Sequence, residues 1–239
     1  MNNAEKAVVV VPCFNEAGRL KTREFSRFIA LHPHISFIFV NDGSRDDTGR
    51  VLAGIGGGEQ CRVLELERNV GKAEAVRRGM AEALKSDCAC GFWDADLSTP
   101  LSEIPVMLEL LRGGEFQCVF GSRWMHLGGC RVRRRLFRHL IGRIFATCVS
   151  NHLRLPIYDT QCGAKLFSRE AAGIAFASPF VTRWFFDVEI VRRLQRFYGA
   201  DSPRLLEHPV SSWIDAPGSK VSYWRAFFDF IKLLTSKSK

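Results

Sequence analysis

No uncharged apolar run in this 239-residue chain approaches the ~20 residues a bilayer-spanning helix needs, so a membrane span is not expected. No secretory signal pattern opens it. The eight cysteines form no Cys-x-x-Cys pair and, with the histidines, no zinc-like spacing. Several sit in strand-like apolar runs, where cysteine behaves as a small hydrophobe. A reducing, cytosolic setting follows as the expectation. The six histidines show no ligand spacing. There is no internal repeat, low-complexity tract or Pro/Gly/Ser-rich linker; the one small-residue cluster, Gly54 to Gly58, suits a helix-to-strand loop. With 46% hydrophobic residues the chain can bury a full core, and one domain over 1–239 is expected.

One further absence is local. Between Phe116 and Tyr158 there is no Asp or Glu, yet there are eight arginines: 123, 131, 133, 134, 135, 138, 143 and 154. Without them, 26 Lys and Arg stand against 25 Asp and Glu, so nearly all of the +9 net charge belongs to one segment. Such a segment calls for phosphate, nucleic acid or an anionic membrane surface. Nucleic acid is not expected as a partner, because no recognition helix, zinc finger or aromatic RNA-binding motif accompanies the charge.

The first half alternates apolar strands with helical stretches. Strands are expected at Ala7–Val11, Ile35–Val40, Cys61–Leu66, Ala89–Trp93 and Phe116–Phe120, and helices after Asp46-Asp47, over Gly71–Leu84 and over Glu103–Leu111. This rhythm predicts an α/β fold with a mostly parallel sheet flanked by helices, whose ligands sit beyond the carboxyl ends of the strands. The polar residues gather there: Asn15 and Glu16, Asn41 to Ser44, Asn69 and Lys72, Asp94 and Asp96, Ser122 and Arg123. Asp94-Ala95-Asp96 closes a buried strand with two carboxylates that repel unless a cation lies between them. Hard oxygen donors suit Mg²⁺ or Mn²⁺ carrying a nucleotide diphosphate.

Two amphipathic helices are also expected. Arg131 to Val149 places Leu136, Phe137, Leu140, Ile141, Ile144, Phe145 and Cys148 on one side and arginines on the other. Tyr223 to Leu234 places Trp224, Phe227, Phe228, Ile231 and Leu234 on one side. Basic amphipathic helices of this kind can lie in a lipid headgroup layer or pack on a core.

In this order and spacing, Val10-Val11-Pro12-Cys13-Phe14-Asn15-Glu16, Asn41 to Thr48 and Asp94-Ala95-Asp96 resemble glycosyltransferase family 2 and its GT-A nucleotide-sugar-binding fold. Asp159 to Phe167, Arg183 to Glu189 and Gly218 to Val221 resemble the polyprenyl-phosphate hexosyltransferases of that family, of the dolichyl-phosphate β-glucosyltransferase type. The resemblance implies a nucleotide-sugar half at about 7–123, an acceptor half at about 124–222 and a C-terminal amphipathic helix at about 222–235. It implies nucleotide-sugar contacts from Pro12, Asn15, Glu16, Asp42, Gly43, Asn69, Lys72, Asp94, Ala95 and Asp96, and a Mg²⁺ or Mn²⁺ held by Asp94 and Asp96. Asp96, Arg123, Asp159, Lys165 and Arg183 become the catalytic candidates. Arg131, Arg133, Arg134, Arg135 and Arg138 are candidates for contact with acceptor phosphate or membrane.

The implied activity is inverting transfer of a hexose, with UDP-glucose as the expected donor, to a polyprenyl phosphate at the cytoplasmic face of a membrane. Mannosyl relatives often carry Gln two residues after the second Asp, where this chain has Ser98. Many relatives have Gly-Lys-Gly where this chain has Gly71-Lys72-Ala73. A GDP-mannose donor or a glycan hydroxyl acceptor is the alternative.

Overall fold

Strand formation begins with β-branched and aromatic runs whose alternate side chains enter two separate cores. The computed structural model describes residues 6–55, 58–123, 131–133, 146–199, 204–214 and 229. In β1 (Ala7–Cys13) Val8 and Val10 face one core, and Val9 and Val11 the other. β2 (Ile35–Asn41) pairs with β1 in parallel, Val9 opposite Phe37 and Cys13 opposite Asn41. β3 (Cys61–Glu65) extends the sheet beyond β2, and β4 (Ala89–Trp93) lies on the other side of β1.

The seven strands run in the order β3-β2-β1-β4-β7-β5-β8, with β5 at Cys118–Ser122, β7 at Ala164–Phe167 and β8 at Leu205–Pro209. β7 is antiparallel to both β4 and β5, and the other pairings are parallel. The mostly parallel sheet expected from the sequence is therefore present, with one reversed strand inserted beside the carboxylate-bearing one. The fifth strand begins at Cys118 rather than Phe116; the Gln117 and Cys118 N–H groups both donate to Arg204 O (2.7 and 3.2 Å) where the chain meets β8.

Helices cover both faces. α1 (Thr22–Leu31), α2 (Thr48–Ala53) and α4 (Glu103–Arg112) contribute Phe25, Leu52 and Met107 to one core. α3 (Lys72–Ala83), α5 (146–153), α6 (Arg169–Phe176) and α7 (Phe186–Tyr198) contribute Met80, Val149, Phe176 and Ile190 to the other. Ser168 caps α6 by accepting the Ala171 N–H at 3.1 Å, a standard way to satisfy an orphan donor of the first turn.

The expected helix from Arg131 is corrected at its start. Arg131–Arg133 form strand β6, paired in parallel with β9 (Ser212–Ile214). A partner roughly eighty residues later supplies the ladder that local periodicity cannot reveal. Residues 134–145 of that expected helix lie outside the described residues, as does the expected Tyr223–Leu234 helix apart from Asp229. Among the described residues, no helix is long and apolar enough to cross a membrane.

Candidate active site

The carboxyl ends of β1, β2 and β4 and the turns after them form one continuous edge. β4 ends at Trp93, and the next residue, Asp94, donates its backbone N–H to Gly163 O at 2.8 Å. Ala95 and Leu97 are buried, while Asp94 and Asp96, which alternate with them, are partly exposed. Leu97 takes φ +51°, uncommon for a side chain of its size. Asp96 Oδ1 accepts the Ser98 N–H at 2.9 Å, fixing the turn. A Cβ on Gly163 would collide with the Asp94 carboxylate, so only glycine permits this approach.

A cation already stands at this turn: Lys72 Nζ lies 2.5 Å from Asp94 Oδ1. Burial is the largest influence on Lys72 and pulls its pKa down, but Asp94, Asp187 and Asp96 outweigh it and hold the ammonium above its ordinary value. Asp94 and Asp96 offer the hard oxygens a divalent ion prefers. Among the described residues no group of three or more His, Cys, Asp or Glu is arranged to hold a metal. Two carboxylates nevertheless fit Mg²⁺ or Mn²⁺ of the kind whose remaining positions go to substrate phosphates and water.

The ends of β1 and β2 are tied together. Asn15 donates its backbone N–H to Ser44 Oγ (3.0 Å), and its side-chain oxygen accepts the Arg45 N–H (2.9 Å). Glu16 N–H donates to Thr48 Oγ1 at 2.7 Å, while its carboxylate pairs with Arg19. Pro12 is the half-buried penultimate residue of β1. Gly43, at φ +61°, passes close against the Arg68–Asn69 backbone.

Asp42, expected at the nucleotide, clamps the loop that follows β3. One oxygen accepts the Val70 N–H (2.7 Å), and the other accepts Asn69 Nδ2 and the Gly71 N–H (2.9 Å each). Burial nevertheless pushes its carboxyl above the ordinary value against these bonds. The clamp sets the entry to α3, where Lys72 is the first helical residue. Arg183 crosses the face of Gly71, and its guanidinium donates to Asn69 Oδ1 at 3.3 Å.

Arg123 and Asp159 form a two-pronged ion pair, with Nε to Oδ2 at 2.6 Å and Nη2 to Oδ1 at 2.7 Å, and the Arg123 N–H adds a third bond. Burial pulls the Arg123 pKa down, but Asp159 chiefly, with Cys162 and Asp94 adding to it, holds it above its ordinary value. Asp159 thus orients Arg123 rather than standing open to substrate. Lys165, expected among the catalytic residues, is held inside the protein. Its side chain is 0% exposed, 2.7 Å from Asp187 Oδ1 and between the rings of Phe92 and Phe120. The enclosed ammonium pairs with Asp187 and so compensates that buried carboxylate.

Three residues at the site carry roles that the sequence pattern did not assign. Gly163 lies inside a recognised motif, so its position was visible but its steric role was not. Glu189 ends another motif and accepts the Val181 and Thr182 N–H groups (2.9 Å each) and the Thr182 hydroxyl (2.7 Å), which sets the turn leading to Arg183. Glu207, on β8, accepts the Tyr158 and Asp159 N–H groups at 2.7 Å each, and nothing in its local sequence marks it. Of the basic segment, Arg131 and Arg133 lie in β6, while Arg134, Arg135 and Arg138 fall outside the described residues.

Residues 8–173 match the family described as Glycosyl transferase family 2. The chain is 35% identical over 234 residues to a dolichyl-phosphate beta-glucosyltransferase of Drosophila melanogaster, covering 90% of this chain and 69% of that one. A human protein of the same name is 32% identical, with 90% and 70% covered. Among solved structures, glucosyl-3-phosphoglycerate synthase from Mycobacterium tuberculosis, in complex with Mn²⁺ and UDP-glucose, superposes with a TM-score of 0.67 at 19% identity over 90% of this chain and 72% of that one. That likeness shows the fold, the GT-A architecture expected from the motifs. Sheet order, strand-end carboxylates and family match converge, and the chain belongs to glycosyl transferase family 2 as a glycosyltransferase.

Proposed function

We propose that this enzyme transfers glucose from UDP-glucose to a polyprenyl phosphate, dolichyl phosphate in the first instance, with inversion at the anomeric carbon and with Mg²⁺ or Mn²⁺. The observation that carries the reading is the turn at Asp94 and Asp96, with Lys72 on Asp94 and Arg123 close enough to feel the same carboxylate. The names of the fly and human relatives support the acceptor and the sugar. The Mn²⁺ and UDP-glucose in the M. tuberculosis synthase support the donor and the ion.

In the proposed reaction an anionic oxygen of the acceptor phosphate attacks C1 of the α-linked glucose as the bond from C1 to the diphosphate oxygen breaks. UDP leaves, and a β-linked glucosyl phosphate lipid forms. No side chain has to remove a proton, because a phosphate oxygen is already anionic near neutral pH. The work is to hold two anions together and to stabilise charge on the leaving diphosphate. A divalent ion held by Asp94 and Asp96 would supply Lewis-acid neutralisation of that diphosphate. Lys72 and Arg183, both at the entry to α3, supply positive charge on the donor side. Arg123, held in one orientation by Asp159, faces the acceptor phosphate. Asp187, backed by Lys165, orients Lys72 and the sugar hydroxyls.

The basic segment, including Arg131, Arg133, Arg134, Arg135 and Arg138, would meet anionic lipid headgroups, holding the protein peripherally on the cytoplasmic face of a membrane. Incubation with radiolabelled UDP-glucose, Mn²⁺ and a short polyprenyl phosphate should give chloroform-extractable label that chelation abolishes. Label from GDP-mannose alone would replace the donor. Label confined to the aqueous phase would reject the lipid acceptor.

A further inference from the structure

Glu103, at the start of α4, is only 4% exposed and reaches no part of the strand-end site itself. Its Oε2 lies 3.0 Å from His208 Nε2 on β8, and its Oε1 accepts the Ser211 N–H at 3.0 Å together with the Ser211 hydroxyl. A buried carboxylate is tolerated only when it is so thoroughly partnered, which makes this contact a strong anchor for the turn between β8 and β9.

That turn leads directly into β9, and several parts of the active site hang on it. Ile214 N–H donates to Ser98 O at 3.1 Å, two residues beyond Asp96. The Trp213 ring lies under the Arg123 guanidinium, 5.4 Å from ring centroid to carbon. β9 also forms the ladder with Arg131–Arg133, the first part of the basic segment. Just upstream, Val210 N–H donates to Ser122 O at 3.1 Å, next to Arg123. One three-residue strand therefore touches both the donor-side carboxylate turn and the acceptor-side arginine.

We propose that Glu103 is a positioning residue, which together with His208 anchors β9 so that Trp213 and Ser98 hold Arg123 and the Asp94–Asp96 turn in mutual register for transfer. This rests on the role given to Arg123 above. Glu103 never meets substrate; it acts through the strand it fixes. Its removal should disturb alignment of the two reactants more than binding of either.

The test compares Glu103→Ala, Glu103→Gln, Trp213→Leu and Arg123→Lys in the purified protein. Initial rates give kcat, calorimetry with Mn²⁺ gives UDP affinity, and thermal melts confirm folding. Glu103→Ala should lower kcat about tenfold with UDP affinity unchanged, because a small misplacement of a reacting group costs rate steeply. Glu103→Gln, whose amide oxygen still accepts from Ser211, should recover most of that loss. Trp213→Leu keeps apolar bulk but removes the ring face, and it should lower kcat in the same selective way even if Glu103→Ala fails to fold. Equal losses in the Ala and Gln variants overturn the proposal. So does unchanged kcat in Trp213→Leu while Arg123→Lys is impaired. Full activity in Arg123→Lys overturns the role of Arg123 instead.

Discussion

Gly163 and Asp94 fit together only because Gly163 has no side chain. The Gly163 carbonyl accepts the Asp94 N–H at 2.8 Å, and a Cβ at Gly163 would occupy the space of the Asp94 carboxylate. The reversed strand β7, which follows Gly163 directly, therefore sets where the first acid of the Asp94-Ala95-Asp96 turn can sit.

Gly163→Ala should push the Asp94 carboxylate aside. The chain should keep its far-ultraviolet circular dichroism, since the change falls in a turn. Transfer should fall by about two orders of magnitude, as expected when a reacting group is misplaced by an ångström. Initial rates alongside Mn²⁺-dependent UDP calorimetry check this, with weakened UDP binding as the companion result.

Breaking the Arg123–Asp159 pair should cost stability as well as rate. Asp159→Ala leaves a guanidinium whose side chain is only 19% exposed without its fork partner. A loss of about 3 kcal/mol is expected, toward the low end for a broken buried pair because Arg123 keeps some solvent contact. Urea unfolding measures it.

Lys165 and Asp187 should behave as one unit. Lys165→Met alone strands a buried carboxylate and should destabilise by roughly 3–5 kcal/mol. Adding Asp187→Asn removes the stranded charge, so the double variant should be more stable than the Lys165→Met single. A double-mutant cycle by denaturant unfolding reads the coupling.

Much of this site was legible in the sequence because each strand is an apolar run that stops at a polar turn. Val11, Val40 and Trp93 each precede residues that the sheet brings to one edge. Three features were not legible. Ala164–Phe167 is too short and too apolar to declare its direction, so the reversed strand was hidden. Arg131-Val132-Arg133 reads as the start of an amphipathic helix until Ser212–Ile214 pairs with it. Lys165, a charge inside a strand, signals exposure by residue type, and its burial depends on Asp187 more than twenty residues away. Pattern reports local preference, whereas partners distant in sequence decide burial and register.

Glu207 predicts a pH effect of definite sign. Burial pushes its carboxyl above the ordinary 4.5, and the Tyr158 and Asp159 N–H bonds only partly oppose this. In the window above 4.5 the native state holds a proton that the unfolded chain has lost. Its contribution to stability is therefore present below that window, falls as pH rises through the folded value, and levels off above it. Glu207→Gln should remove that slope, and the difference between wild-type and variant melting temperatures across mildly acidic pH isolates it.

The most direct measurement is the chemical identity of the product made by purified protein from UDP-glucose and a polyprenyl phosphate. Mass spectrometry and proton NMR should show one hexose on the lipid phosphate with a β anomeric linkage, formed by the wild type and lost in Asp96→Asn. An α linkage, a hexose carried elsewhere than on the phosphate, or an unimpaired Asp96→Asn enzyme would contradict inverting transfer at the Asp94–Asp96 turn.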